Sequence, residues 1–411
     1  MGQFEPFGQW RPVRVAEDIL PQPDAYKRYF HLFFYFKMLS GAECCSNAPA
    51  ACSQQSHEAL AVDQAQEALA VDDSQGADRP SSSQFLKPTS GIRGIFEDSK
   101  GNFYFTSTEW TAKYDPTTRT DKHDGYTYMP QRGADVLVSA FQEDANGTIW
   151  SQGSDGISSY DGEEFTPIAR DYDHKDQWAI ADGDLWFGAD GNVDLNEQES
   201  QWGVYRMHEG KVIFLAYPEP PPGERAKFYA LTSKPMMKAD GTLWFGTFTA
   251  AFGFDGKTWD ILGREKMGRA DDPRHIGYRG YHLDSSGNLW MADNGAGLYV
   301  YDGKEVIHFT DIHNLEDEDT DGNSLHRAFS VAQDNDGNYW FGAVYSGIWR
   351  YEPSKDDPLR KGTFTNFDDT EGWPCENAWT IYKTRSGELL FGGEDPGGVY
   401  RFNGEGFERA Y

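Results

Sequence analysis

The sequence predicts an all-β protein, a seven-bladed β-propeller of four-stranded antiparallel blades preceded by a disordered N-terminal segment. Three observations lead there. An aromatic element recurs as Trp186-Phe187-Gly188, Trp244-Phe245-Gly246 and Trp340-Phe341-Gly342, with variants at Tyr104-Phe105, Trp150-Ser151, Trp290-Met291 and Leu390-Phe391-Gly392. Its first residue always lies three positions after a turn glycine: Gly101, Gly147, Gly183, Gly241, Gly287, Gly337 or Gly387. From residue 91 onward these seven copies average about 46 residues, the size of a propeller blade. Finally, 44 Gly alongside 13 Trp, 22 Tyr and 27 Phe in 411 residues is the composition of many short strands joined by tight turns.

Each copy reads in the same order. An apolar strand leads into an Asp-x-x-Gly turn, whose glycine supplies the positive φ of a hairpin. The Trp-Phe-Gly strand follows, with its aromatics expected between neighbouring blades. A third strand ends on an aromatic residue, Tyr114, Tyr160 and Phe254 lying 13 residues after their turn glycines and Tyr301 and Tyr351 lying 14 after theirs. Asp-Gly pairs at 161–162, 255–256 and 302–303 then turn the chain into a fourth strand. Tyr205 is displaced to 22 residues after Gly183, which predicts an insertion over 190–201. One such sheet cannot bury both faces, so the copies must stack, and a closed ring removes the exposed ends of the stack.

The domain plan that follows is a leader over 1–52, a flexible linker over 53–84 and the propeller over 85–411. Lys27-Arg28 before the run Tyr29–Phe36 has the form of a secretory signal, interrupted by Lys37. Ala50-Ala51-Cys52-Ser53 has the form of a bacterial lipoprotein box, which makes Cys52 the candidate lipidation site and a lipid anchor to a membrane an expectation. Residues 1–25 then read as an extension ahead of the leader. The linker repeats Glu58-Ala59-Leu60-Ala61-Val62-Asp63 as Glu67-Ala68-Leu69-Ala70-Val71-Asp72 and offers little to bury. Gln84-Phe85-Leu86 is a candidate clasp strand for closing the ring. The expected location is extracytoplasmic, in the periplasm or as a membrane-anchored lipoprotein of a bacterium; the competing reading is a cytoplasmic protein with an aromatic tail.

Asp284-Ser285-Ser286-Gly287-Asn288-Leu289-Trp290 followed by Gly297-Leu298-Tyr299-Val300-Tyr301-Asp302-Gly303 resembles the two-component regulator propeller repeat, as does Gly91–Asp98. The resemblance covers residues 91–411. It implies the propeller fold and the sensor part of a signalling protein. No kinase or output segment follows in this sequence, so the expectation is a stand-alone, sensor-like ligand-binding propeller. A looser similarity, through Asp-Gly-x-Leu-Trp-Phe, is to virginiamycin B lyase-type propellers.

Charge limits the partners. With 37 Lys and Arg against 66 Asp and Glu, the chain carries a net charge of −29 and repels phosphate backbones, so nucleic acid is not expected. Four Cys exclude a disulfide scaffold. A monomer is expected.

In a propeller, the crossings between blades and the loops from second to third strand share one face, at the mouth of the central channel. The crossings bring Arg93, Trp178, His275, Tyr278, Arg279, His326, Arg327 and Trp379 there, and the loops bring Trp110, Asp293, Asn294, Tyr345, Glu394 and Asp395. Aromatic faces beside arginines and carboxylates suit a small-molecule or glycan ligand through stacking and bidentate hydrogen bonds; a protein partner is the other class this face admits. The plainer reading is that the aromatics fill gaps between blades and the charges solvate the rim. His275, Tyr278, Arg279 and His326 also suit proton abstraction beside a carboxylate. The alternative function is therefore a lyase or hydrolase acting on a polysaccharide or lactone, with a divalent metal. Asp317, Asp319 and Asp321, followed by Gly322, match the first half of a calcium loop, but Ala328 stands where the closing acid belongs. Calcium is the one metal the sequence suggests.

Overall fold

The computed structural model describes residues 91–107, 110–120, 123–129, 141–153, 156–172, 177–189, 193–196, 199–218, 229–269, 277–319 and 322–411. The leader, the linker, Cys52 and the candidate clasp Gln84–Leu86 lie outside them. Among the described residues the strands form seven four-stranded sheets, each a blade. No described helix is long and apolar enough to cross a membrane.

Six blades are antiparallel meanders with strands in chain order from the channel outward. Blade 5, for example, runs Tyr278–Leu283, Leu289–Asp293, Gly297–Tyr301 and Val306–His308. The inner strands of the blades flanking the channel site are Ile92–Glu97 in blade 1, Met236–Met237 in blade 4, Ala328–Gln333 in blade 6 and Asn377–Lys383 in blade 7. Blade 3 departs from the expected meander. Its sheet is completed at the outer edge by Arg170–Asp171, which pairs in parallel with Lys211–Ala216. The predicted insertion is a separate hairpin, Val193–Asn196 with Glu199–Gln201, between the second and third strands of that blade.

The recurring motif has a hydrogen-bonding cause. In Asp-x-x-Gly-x-x-Trp the aspartate folds the turn with one carboxylate oxygen and holds the tryptophan with the other. Asp284 Oδ1 accepts from the backbone N–H groups of Ser286 and Asn288, while Oδ2 accepts from Trp290 Nε1 at 3.0 Å. The same Oδ2 accepts from the Tyr339 hydroxyl of blade 6, so one turn residue also ties two blades together. Asp144–Trp150 and Asp334–Trp340 repeat the bond at 2.9 Å. Hydrogen bonds to an ionised group contribute about 1.5–3 kcal/mol each, which makes the aspartate a folding element rather than a surface charge.

The glycine of Trp-Phe-Gly has a packing cause. A Cβ on Gly246 would lie 2.3 Å from the ring of Tyr281 on blade 5; on Gly342, 2.6 Å from the carbonyl oxygen of Ala378 on blade 7; on Gly392, 2.9 Å from the side chain of Ile92 on blade 1. The next blade's inner strand presses directly on these positions. The strand-two aromatics fill the seams as expected: Trp290 packs with Phe341, and Trp340 with Phe391 and Phe407.

Blade 7 meets blade 1 through the same packing. Ile92, Ile95 and Phe105 share a core with Leu390 and Val399, and the Tyr411 ring packs at an angle against Phe103, Phe105 and Tyr114. The Tyr382 hydroxyl accepts from Glu97 N–H, and Glu97 Oε2 accepts from Arg385 N–H.

Gly342→Ala should lower stability by about 1–3 kcal/mol, because a rigid backbone carbonyl leaves the methyl no room. Gly188→Ala, whose nearest neighbour is Leu231 Cβ at 3.4 Å, should be milder. Urea unfolding of the two variants beside the wild type measures the difference.

Candidate functional site

Four inner strands carry a β-bulge at the same place. The ladders skip Arg93 between Ile92 and Gly94, Arg279 between Tyr278 and Gly280, Phe329 between Ala328 and Ser330, and Trp379 between Ala378 and Thr380. Each bulged residue lies eight positions before its blade's turn glycine. A bulge leaves the extra residue unpaired and re-aims its side chain. Because these strands border the channel, the four side chains collect at its mouth, on four consecutive blades of the ring.

There they touch in series. The Arg93 guanidinium lies 3.2 Å from the centroid of the Trp379 ring. Trp379 packs on Phe329 with centroids 4.2 Å apart. Arg279 sits over Phe329 at 5.7 Å and over Phe248, from the second-to-third loop of blade 4, at 4.6 Å. The result is an arc of alternating cations and rings from blade 4 to blade 1. Glu394, at the end of the second strand of blade 7, fixes one end: it accepts from Arg93 Nη2 at 2.9 Å and from Trp379 Nε1. Arg327 flanks the arc, donating to Asn294 Oδ1 at 3.0 Å with its guanidinium 5.7 Å from the Tyr345 ring. Tyr345 is 60% exposed and has φ of 58°, a strained position for a bulky residue and a ring offered to solvent beside the arc.

The guanidiniums differ in their surroundings. Burial first, and the like charges of Arg93 and Arg327 after it, lower the Arg279 pKa to about 10 against the pull of Asp293. One oxygen of that carboxylate is engaged: Asp293 Oδ2 accepts from Arg269 Nη1 at 2.9 Å and from Gly277 N–H at 3.1 Å, while Oδ1 is buried without a hydrogen-bond partner. Deeper in the channel Lys234 Nζ lies 4.8 Å from the Phe96 ring. Phe96 belongs to blade 1 and Lys234 precedes the inner strand of blade 4, so this contact spans the channel. Burial lowers the Lys234 pKa to about 8.

Of the residues expected at the mouth, Arg93, Arg279, Arg327 and Trp379 come together, and His326 sits beside Arg327. Trp178 packs instead between blades 3 and 4 against Phe245 and Trp259, with its indole N–H on the Ala216 carbonyl. Trp110 lies in the core shared by blades 1 and 7. Tyr278 is fully buried against Tyr281 and Tyr299. These three are held by the seams between blades. His275 and Asp321 lie outside the described residues. Asp317 and Asp319 are exposed, and Asp319 is occupied in its own turn, accepting from Asn323 N–H. Among the described residues no three His, Cys, Asp or Glu side chains group as metal ligands. Cys375 is buried, donates to the Pro396 carbonyl and has a thiol pushed up to about 12 by burial, which removes it as a nucleophile near neutral pH. Phe248, Phe329 and Lys234 are the additions. The eight-residue interval from the turn glycine would have revealed Phe329, since Phe329 and Trp379 share it with Arg93 and Arg279.

No family model matches the chain, and no curated protein matches its sequence. Solved structures similar to it include both likenesses named from the repeat. Virginiamycin B lyase from Staphylococcus aureus is 12% identical, with 79% of this chain and 86% of that one covered at a TM-score of 0.39. The extracellular domain of a protein described as a hybrid two component system from B. thetaiotaomicron is 14% identical, with 79% and 52% covered at a TM-score of 0.36. A second such extracellular domain from B. thetaiotaomicron is 17% identical, with 80% and 46% covered at 0.32.

His282, on the inner strand of blade 5, is held neutral. Burial lowers its pKa from 6.5 to about 4, against Asp284, which raises it, while Lys383 adds to the lowering. A lowered folded pKa means that the unfolded chain binds the proton first. Its contribution is therefore complete above about pH 6.5 and is lost as pH falls toward 4. The wild type should lose about 2 kcal/mol between pH 7 and pH 5 through this group. His282→Gln should flatten that part of the profile in denaturant titrations at the two pH values.

Proposed function

We propose that this protein is an extracytoplasmic, sensor-like propeller that binds a ligand at the channel mouth. The observation that carries the reading is the bulge arc. Four blades spend ladder hydrogen bonds to turn Arg93, Arg279, Phe329 and Trp379 toward one place, a pattern that filling the seams does not require. The aromatic members supply stacking faces, and the arginines supply planar donors for hydroxyl, carboxylate or amide oxygens. A small or oligomeric ligand of glycan type fits this surface, with Tyr345 as an outer platform. The lyase alternative is less well supported by the geometry, because Tyr278, one of the residues that reading calls on, is enclosed in the seam between blades 4 and 5.

The test is a thermal-shift screen of the full chain against neutral oligosaccharides, uronate oligosaccharides, amino acids and dicarboxylates. A ligand specific for the folded state stabilises by about 2.7 kcal/mol at a hundredfold excess over its Kd. At least one class should raise the midpoint, and Trp379→Ala should weaken that ligand at least tenfold. A shift that survives both Trp379→Ala and Arg93→Ala would move the site elsewhere.

The leader assigns the setting. We propose export with acylation at Cys52, so that the linker holds the ring away from a membrane. Metabolic labelling with a fatty acid in a bacterial host should mark the wild type and not Cys52→Ser. Equal labelling of both would remove the anchor.

A further inference from the structure

The ligand reading leaves the sign of the site unexplained. The chain carries a net charge of −29, yet the charged residues aimed into the channel mouth by the bulges are both arginines, and Arg327 joins them from the next crossing. Arg93 is answered by Glu394. Arg279 is not answered: among the described residues it makes no ion pair or hydrogen bond, its Nε is buried without an acceptor, and its contacts are the rings of Phe248 and Phe329. The carboxylate closest in effect, Asp293, spends Oδ2 on Arg269 and the Gly277 N–H, and its buried Oδ1 makes no hydrogen bond to Arg279. Lys234, which crosses the channel below, likewise faces a ring and not a carboxylate. Buried cations are normally paired, because desolvation without a partner is strongly unfavourable. In a chain with 66 acidic residues a partner would have been easy to supply.

Resting on the ligand-binding reading above, we infer that the ligand is anionic and that its carboxylate or sulfate group docks on Arg279, between Phe248 and Phe329, with Arg93 and Arg327 alongside. A planar guanidinium lying near two rings has its terminal nitrogens to offer for a two-pronged hydrogen bond to such a group. The remainder of the ligand lies along Trp379 and Phe329. Lys234 sets the sign of the channel beneath, so a second negative group entering deeper is also favoured. A uronate or sulfated sugar combines both requirements, a ring face to stack and an anion to dock.

The experiment compares the full-length wild type with Arg279→Gln and Trp379→Ala by thermal shift and calorimetric titration at fixed ionic strength. The probes are digalacturonate, sodium sulfate, inorganic phosphate and, as the uncharged control, cellobiose. Digalacturonate should bind the wild type at least tenfold more tightly than cellobiose, and Arg279→Gln should remove that preference. Sulfate or phosphate shifting the wild type more than digalacturonate would identify the docked group as an inorganic-type oxyanion and still support the inference. Without any probe, Arg279→Gln should melt at or above the wild-type midpoint, since it deletes an uncompensated buried charge. A lower midpoint for ligand-free Arg279→Gln, cellobiose binding as tightly as digalacturonate, or the absence of a shift with every anion would each overturn the inference. Tight cellobiose binding that Trp379→Ala abolishes would do so while leaving the ligand-binding reading intact.

Discussion

The contact on which the structure depends is the approach of each inner strand to the Trp-Phe-Gly strand of the blade before it. At Gly246, Gly342 and Gly392 there is no room for a side-chain carbon, so adjacent blades meet backbone to side chain and not side chain to side chain. Trp290 and Trp340 fill the seams, with their indole N–H groups returned to the turn aspartates of their own blades. A fold made of repeats is stabilised mainly by its neighbour interfaces. Here the interface sets the repeat, and the sequence pattern is its record. Blade 3 shows the tolerance of the scheme: Gly188 has slightly more space before Leu231, and that blade takes an inserted hairpin and a strand running the other way.

The same tight approach explains why the side chains turned to the channel mouth sit on bulges. An inner strand clamped against its neighbour has little freedom to offer side chains to the channel, because both of its faces are committed to seams. An extra residue escapes that commitment. The bulges at Arg93, Arg279, Phe329 and Trp379 sit at one end of the strands, where the ladder is about to stop and losing a pairing disturbs least. The glycine that follows one of them, Gly280, keeps the chain close to the next blade; a Cβ there would lie 2.6 Å from the Phe329 carbonyl oxygen. Packing and presentation are thus divided between consecutive residues.

This division also marks what could be read from sequence. The fold was legible almost completely, because turn glycines, aspartates and tryptophans occupy fixed offsets whose causes are local. Arg93, Arg279, Arg327 and Trp379 were legible as residues of the channel face, since the fold orders its loops. Trp178, Trp110 and Tyr278 occupy nearby sequence positions but turn into the seams, and no local rule separates an aromatic that fills a gap from one that faces a channel. Lys234 was invisible for a different reason: its contact with Phe96 joins blades that are not neighbours, and only the closed ring brings them together. The parallel strand of blade 3 was likewise beyond a repeat-based reading, because it is formed by the link between blades and not by the repeat.

The electrostatics of the mouth follow from these geometric facts. A net charge of −29 spread over a ring surrounded by solvent is largely screened beyond about 10 Å. The channel mouth is different, because Phe248, Phe329 and Trp379 exclude water from the space between the cations and so lengthen the reach of each charge. Burial is the main cause of the lowered Arg279 pKa, and the like charges of Arg93 and, less, Arg327 add to it against Asp293. Neighbouring cations repel one another, and an anion placed among them would relieve those repulsions while gaining its own attractions. On the proposed reading, selectivity for an anion needs no dedicated positive domain in an acidic protein. It needs only a few cations placed where rings keep the water out, which is what a bulge beside an aromatic seam provides.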